Sequence, residues 1–189
     1  VVHNAPYIMN RQLDRVAADM LQRELESQGM QFYLAKNTTR ITGRTRAQGL
    51  RFMDGTRLDA DVVVLAVGIR PNIELAQRSG ILTRRAIVVD DFMRTSDPNI
   101  FALGECAEHR GVSYGLVAPL YEQGRVLARV ICGHETEPYN GSIPSSQLKI
   151  SGVDVFSAGV ISGEGVETAV QNYDAVCGTY KKVTMHNGK

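Results

Sequence analysis

One carboxylate in the sequence stands where a bound ligand could meet it. In the run 95–105, a threonine and a turn lead into a short apolar strand at 100–103, which ends in Gly104 and Glu105. This order places an acidic side chain at the carboxyl end of a buried strand, where open α/β sheets bind ligands. Because Gly104 has no Cβ, a ligand can approach the backbone closely. The Glu105 carboxylate can then accept hydrogen bonds from the hydroxyl groups of a sugar or polyol.

The elements before this carboxylate are predicted to be a helix and an antiparallel meander. Apolar residues recur at helical spacing after Asn10, a suitable N-cap, so a helix is expected to reach about Gln28 and to end at Gly29. The strands expected next lie at 30–35, 40–41 and 49–52. The Asp54-Gly55 pair predicts a hairpin turn, with pairing resumed at Leu58.

The middle of the chain predicts buried strands and a second long helix. Residues 61–68 form a continuous apolar run, which is typical of a strand buried on both faces of a parallel sheet. A short helix is expected at 73–78, a strand at 87–90 and a helix at 116–131 with Pro119 in its first turn. The segments after this helix are expected to be strands, at 147–150, 153–158, 168–171 and 180–185.

The composition indicates an ordinary globular protein. The chain has 189 residues, of which 43% are hydrophobic and 22% charged, and its formal net charge is +1. That balance gives no reason to expect a nucleic acid or a membrane surface as a partner, and no stretch has the roughly 18 consecutive apolar residues of a membrane span. Since the sequence opens on apolar strand residues instead of methionine, it is interpreted as an internal fragment of a longer protein.

The three cysteines do not predict a metal site. Cys106, Cys132 and Cys177 are widely spaced and form no Cys-x-x-Cys pair, so no zinc, cluster or dithiol site is expected. Three unpaired thiols are typical of a reducing compartment, which predicts the cytoplasm.

Several motifs resemble those of the pyridine-nucleotide flavoprotein family. A meander precedes a strand that ends at Gly68, and a later strand ends at Gly104-Glu105, as in flavoproteins with two dinucleotide-binding domains. A narrower resemblance is to the large subunits of NAD(P)H-dependent nitrite reductases. It is carried by residues 10–14 (NRQLD), 66–72 (AVGIRPN), 104–111 (GECAEHRG), 114–123 (YGLVAPLYEQ) and 148–159 (LKISGVDVFSAG).

The resemblance implies the fold class and the domain organisation. The expected fold is a partial α/β flavoprotein with two dinucleotide-binding domains, built on a parallel sheet with an inserted antiparallel meander and followed by a small strand-rich segment. Residues 1–67 would form the latter half of an NAD(P)H-binding domain and 68–136 the latter half of an FAD-binding domain. Residues 137–189 would begin a strand-rich interface domain at the carboxyl end.

The resemblance also implies cofactors and partners. The parent protein would pass a hydride from NAD(P)H to FAD and then single electrons to an iron–sulfur (4Fe–4S) cluster and siroheme outside these residues, where nitrite is reduced to ammonia. Its substrates would be small molecules, its protein partner a nitrite reductase small subunit, and its assembly a homo-oligomer. Because both glycine-rich fingerprints are missing from the 189 residues, this segment alone is expected to be inactive and to bind FAD weakly or not at all.

The resemblance assigns FAD contacts to two places. Glu105 would accept a hydrogen bond from the FAD ribitol, although the family usually has the shorter aspartate there, and Gly104 would allow the close approach. At the start of the second long helix, the N–H groups of Val117 and Ala118 would face the flavin ring, because helix N-termini favour the negative charge of reduced flavin.

Two further residues are assigned to the nicotinamide side. Gly68 would permit a tight crossing between the two cofactor domains. His3 would lie where the family often has an acidic residue that binds the adenosine ribose. No catalytic side chain is expected, and Glu108 and His109 are not interpreted as an acid–base pair, since hydride transfer between stacked rings needs none.

Two alternative functions remain open from the sequence. The chain could come from a stand-alone NAD(P)H reductase that serves rubredoxin or oxygen. It could also be a non-catalytic remnant that kept this fold and lost the cofactor.

Overall fold

The computed structural model describes residues 1–134, 137–150, 152–161 and 166–186. The described elements, in chain order, are α1 (Arg15–Ser27), β1 (Thr38–Thr42), β2 (Gly49–Phe52), β3 (Arg57–Asp59), α2 (Glu74–Arg78), β4 (Ile87–Val89), β5 (Ala107–His109), α3 (Val117–Ile131), β6 (Ser145–Ile150), β7 (Val153–Ala158), β8 (Val166–Asp174) and β9 (Thr179–His186). They form two compact units, one of residues 1–66 with 145–189 and one of residues 67–144. Within the described ranges, every helix is too short or too polar to cross a bilayer.

Helix α1 is shorter at its start than the sequence predicts. Its N-cap is Asp14, whose Oδ1 accepts the backbone N–H of Ala17 at 3.0 Å, so the prediction of Asn10 as the cap is wrong. Leu13, which begins the apolar stripe, is buried one residue before the cap, which is why periodicity alone placed the start too early. The predicted end is confirmed, because Gly29 follows the helix with a φ of +93°.

The predicted meander is confirmed as a three-stranded antiparallel sheet in the order β1-β2-β3. Asp54 closes the β2–β3 turn by accepting the backbone N–H of Thr56 at 3.0 Å, and Lys36 forms an ion pair with the same carboxylate. Gly49 is required at the start of β2, because a Cβ there would lie 2.2 Å from the carbonyl oxygen of Leu58.

Two antiparallel hairpins, β6–β7 and β8–β9, belong to the same unit as α1. Leu148, Val153 and Val155 pack against the apolar face of α1. A polar contact adds to this packing, because Asp14 Oδ2 accepts hydrogen bonds from the Tyr180 hydroxyl at 2.7 Å and from Lys182 Nζ at 2.9 Å. The four predicted strands are confirmed, and β8 and β9 extend beyond their predicted bounds.

Burial and the neighbouring Asp14 charge raise the pKa of Tyr180 to about 12. The neutral phenol therefore contributes stability that is complete below the unfolded pKa of about 10 and is lost as the pH rises through about 12. We expect Tyr180→Phe to lower the free energy of unfolding at neutral pH by about 1–2 kcal/mol and to remove this alkaline decline. Urea unfolding followed by circular dichroism measures both. The control is Tyr121→Phe, at a tyrosine that is 69% exposed, and it should change neither the stability at neutral pH nor the alkaline decline. If the free energy of unfolding had the same pH dependence in the wild type and in Tyr180→Phe, the role assigned to Tyr180 would be contradicted.

The second unit contains the only parallel pair among the described strands, β4 with β5. Helix α3 begins at Val117 as predicted, within one residue, and carries Pro119 in its first turn. Leu127 of this helix joins a core that also includes β4, β5 and the segment around Tyr139. The buried members of this core are Val89, Met93, Ala102, Ala107, Tyr114, Leu127 and Tyr139.

Three strand predictions are wrong. Residues 61–68 form no strand, and Val62, Val64 and Val67 are 77%, 83% and 88% exposed. An apolar run becomes a strand only when neighbours bond its backbone, and no described strand lies beside this one. Residues 100–103 and 30–35 each contribute one isolated bridge, Arg94 with Phe101 and Val2 with Tyr33.

Candidate functional site

Gly104 and Glu105 form a sharp turn, from which the Glu105 side chain faces solvent. Gly104 is buried and has a φ of +92°, a conformation that favours glycine. Its carbonyl accepts the N–H of Ala107 at 3.0 Å, where β5 begins. The next residue, Glu105, is exposed, and its carboxylate makes no hydrogen bond or ion pair with the described residues. The carboxylate is thus free to accept hydrogen bonds from a ligand.

The structure brings this carboxylate to the segment that leads into α3. A Cβ built on Gly115 would lie 3.7 Å from Glu105 Oε1 and 3.2 Å from Ile69 Cδ1. Ile69 directly follows Gly68, which has a φ of +96° and is exposed. The segments around residues 69, 105 and 115 therefore converge on one place, where any side chain at position 115 would press on Ile69 and on the Glu105 carboxylate.

The start of α3 lies two residues after Gly115 and offers uncapped donors. The N-cap is Leu116, with φ −114° and ψ 147°, and no side chain caps the first turn. Val117 is 67% exposed and Ala118 is exposed too. The first N–H groups of an α-helix have no intrahelical acceptor, so those of this turn are available to an anion or to an electron-rich ring.

His3 belongs to the other compact unit. Its backbone N–H donates to the carbonyl of Tyr33 at 3.0 Å, and its carbonyl accepts the N–H of Lys36 at 3.0 Å. The imidazole Nε2 lies 3.3 Å from Asn10 Oδ1, and the side chain is half-buried. His3 thus lies next to the bridge between Val2 and Tyr33, and its ring is oriented by the Asn10 amide.

Glu108 and His109 are both buried but face different partners. His109 Nε2 lies 2.8 Å from Asp91 Oδ1, and its ring packs on Tyr139 with the centroids 4.8 Å apart. Glu108 Oε2 instead accepts the backbone N–H of Ala86 at 3.3 Å. The two side chains therefore brace the fold around β5.

Asp91 was not singled out in the sequence, yet it organises this cluster. Besides His109, it accepts two hydrogen bonds from Arg110, at 2.9 Å and 2.6 Å. The Arg110 guanidinium, followed by His109, holds the pKa of the Asp91 carboxyl below its usual range. No local signal in the sequence pairs residue 91 with residues 109 and 110, because the contact depends on the parallel pairing of β4 and β5.

The residues around Glu105 fit the isoalloxazine and ribitol of a flavin. A free carboxylate suits polyol hydroxyls, uncapped helical N–H groups suit the electron-rich ring, and a side chain at position 115 would crowd the carboxylate. Gly115 and Gln123 were not assigned to the site from the sequence, although both lie in the motif at 114–123. The structure shows that Gly115 lies beside Glu105 and that Gln123 Oε1 accepts the backbone N–H of Gly104 at 3.0 Å.

Comparison with known proteins agrees with the architecture. A sequence profile of the pyridine nucleotide-disulphide oxidoreductase family matches residues 1–126, and one of the rubredoxin NAD+ reductase C-terminal domain matches residues 144–189. Among solved structures, a ferredoxin reductase from Rhodopseudomonas palustris superposes with a TM-score of 0.85 at 26% identity, covering 100% of this chain and 48% of that one. The predicted fold class is confirmed.

Two Bacillus subtilis proteins are similar over the whole chain. A nitrite reductase, NAD(P)H, is 54% identical over 189 residues, and an assimilatory nitrate reductase electron transfer subunit is 52% identical over 189 residues. Each match covers 100% of this chain and 24% of the relative, so the chain spans about a quarter of their length. The predicted resemblance to nitrite reductase large subunits is confirmed, and the profile match over residues 1–126 shows that the chain belongs to the pyridine nucleotide-disulphide oxidoreductase family.

Proposed function

We propose that this chain is the electron-entry segment of an FAD-dependent NAD(P)H oxidoreductase, a nitrite reductase large subunit. The convergence of Glu105, Gly115 and the start of α3 supports a flavin site most directly. The 54% identity to the Bacillus nitrite reductase favours this enzyme over a stand-alone reductase for rubredoxin or oxygen.

Each residue of the site has a defined task in this proposal. Glu105 accepts hydrogen bonds from the ribitol hydroxyls, while Gly104 and Gly115 keep side chains out of the space that the cofactor needs. The first N–H groups of α3, at Val117 and Ala118, stabilise negative charge on the ring by about 0.3–1 kcal/mol or more. FAD, when bound by these residues, would supply the redox chemistry that links hydride transfer from NAD(P)H to single-electron transfer.

The nicotinamide side of the proposal concerns the first third of the chain. Residues 1–67 serve as the latter half of the NAD(P)H-binding domain, and 68–136 as the latter half of the FAD-binding domain. His3, oriented by Asn10, faces the adenosine ribose, and Gly68 allows the crossing between the two domains. Residues 137–189 begin the strand-rich interface domain.

The whole protein extends the electron path beyond this chain. We place a 4Fe–4S cluster and a siroheme outside these residues, with nitrite as the final acceptor and a small subunit as the protein partner. The name of the second Bacillus relative, an electron transfer subunit, supports transfer to a partner. The free thiols of Cys106, Cys132 and Cys177 support a cytoplasmic location.

The proposal is tested with the full-length protein. We expect it to carry one FAD per chain, whose visible absorption is bleached by NADH or NADPH under anaerobic conditions and restored by nitrite. Bleaching that nitrite does not reverse but rubredoxin or oxygen does would favour the stand-alone reductase. A protein that neither binds FAD nor oxidises NAD(P)H would contradict the proposal and favour the non-catalytic remnant.

A further inference from the structure

A fully buried amide on α3 reaches the turn that carries Glu105. Gln123 is 0% exposed and is among the largest fully buried side chains described. Its Oε1 accepts the backbone N–H of Gly104 at 3.0 Å, across 19 residues of sequence. One hydrogen bond thus connects the helix to the glycine directly before the exposed carboxylate.

The Gly104 N–H depends on this acceptor. Gly104 is buried in a left-handed conformation, and the Gln123 amide oxygen is its hydrogen-bond acceptor in the described structure. A buried N–H without an acceptor is strongly disfavoured, so loss of the amide oxygen would drive the turn toward another conformation. Any such change would move the neighbouring Glu105 side chain.

Packing alone does not explain a glutamine at this position. Pro119, Gln123 and Leu127 are the buried residues of α3 and share one face at a spacing of four. An apolar side chain would fill this stripe without burying a polar group. The Gln123 Nε2 makes no well-formed hydrogen bond with the described residues, and its interaction with the Tyr139 hydroxyl acts only to lower the pKa of that phenol. The 3.0 Å bond at Oε1 is therefore the well-formed polar contact that an apolar residue here would lose.

We propose that Gln123 is a positioning residue for the flavin site: its amide oxygen fixes the Gly104 peptide and thereby sets the Glu105 carboxylate relative to the first turn of α3. The inference rests on the proposed function, because it concerns the same flavin site. Gln123 itself acts only through Gly104, and its helix also carries Val117 and Ala118. The residue therefore couples the two halves of the site.

Three variants of the full-length protein separate positioning from packing. Gln123→Met keeps the length of the side chain and removes the acceptor. Gln123→Glu keeps an acceptor oxygen, and it is compared at pH 6, because full burial favours the neutral carboxyl group, which has nearly the shape of the amide. Leu127→Met is the control, because it perturbs the same buried face without contacting Gly104. We expect Gln123→Met to raise the Kd for FAD about tenfold and to change the visible circular dichroism of bound flavin. Gln123→Glu and Leu127→Met should stay within about threefold of the wild type.

A second readout needs no flavin. In the FAD-free protein, amide hydrogen exchange at residues 103–106 should be faster in Gln123→Met than in Gln123→Glu or the wild type. If Gln123→Met does not fold, Gln123→Asn, whose acceptor is one methylene shorter, should show the same two changes. Unchanged affinity and dichroism, or equal losses in Gln123→Met, Gln123→Glu and Leu127→Met, would overturn the inference. A wild type that binds no FAD would instead overturn the proposed function, and the inference with it.

Discussion

Placing a leucine at position 115 is expected to weaken FAD binding by the full-length protein about a hundredfold. The Cβ of this residue would already lie 3.7 Å from Glu105 Oε1 and 3.2 Å from Ile69 Cδ1. The remaining carbons of leucine would occupy the space in front of the carboxylate, where we place the flavin. The backbone at Gly115 is outside the left-handed region, and Ile69 is 59% exposed and can move aside for the new Cβ, so the fold should persist.

Fluorescence titration with FAD measures the effect, and Gly124→Leu is its matched control. Gly124 lies on α3, and a Cβ built there would meet nothing within 4 Å. We expect Gly124→Leu to bind FAD as the wild type does, while Gly115→Leu binds poorly and keeps its helical circular dichroism. If Gly115→Leu bound FAD as tightly as Gly124→Leu, the space beside Glu105 would not be the flavin site.

Removing the carboxylate at position 105 is expected to raise the Kd for FAD by about 10- to 100-fold. Hydrogen bonds to a charged group contribute about 1.5–3 kcal/mol, and each 1.4 kcal/mol changes affinity tenfold. Glu105 makes no bond with the described residues, so Glu105→Ala leaves no partner unsatisfied and should not alter folding. The loss should therefore appear in cofactor binding and leave the free energy of unfolding unchanged.

Two further variants sharpen this result. Glu105→Asp keeps the charge and matches the usual residue of the family, so it should retain most of the affinity. Glu74→Gln removes another exposed carboxylate, one that pairs with Arg78 on α2, and should bind FAD like the wild type. Equal FAD affinity in Glu105→Ala and Glu74→Gln would mean that the Glu105 carboxylate contributes nothing to binding.

Local signals in the sequence predicted most elements because the cause of each element is local. The Asp54-Gly55 turn, the apolar face of α1 and the first turn of α3 each depend on residues a few positions apart. The prediction of a strand at 61–68 is wrong for the opposite reason, since a strand needs neighbouring strands that its own residues do not specify. Strand β5 was missed because Glu108 and His109, polar in sequence, are buried only through contacts with distant residues.

The candidate site likewise contains one residue that local sequence signals indicate and two whose positions depend on distant contacts. Glu105 was proposed from the sequence because a glycine and a carboxylate at the end of an apolar run form a recognisable local motif, and its role stays a prediction. Gln123 was missed because a glutamine in a helix is usually solvated, and only the structure shows its 3.0 Å contact with Gly104. The place of Gly115 beside Glu105 is likewise a product of tertiary packing.

A crystal structure of the full-length protein with FAD bound would show directly where the Glu105 carboxylate lies relative to the cofactor. We expect one of its oxygens about 2.5–3.0 Å from a ribitol hydroxyl oxygen, with the first turn of α3 against the flavin ring. A flavin bound elsewhere, with the Glu105 side chain still in solvent and out of hydrogen-bond reach, would contradict this expectation.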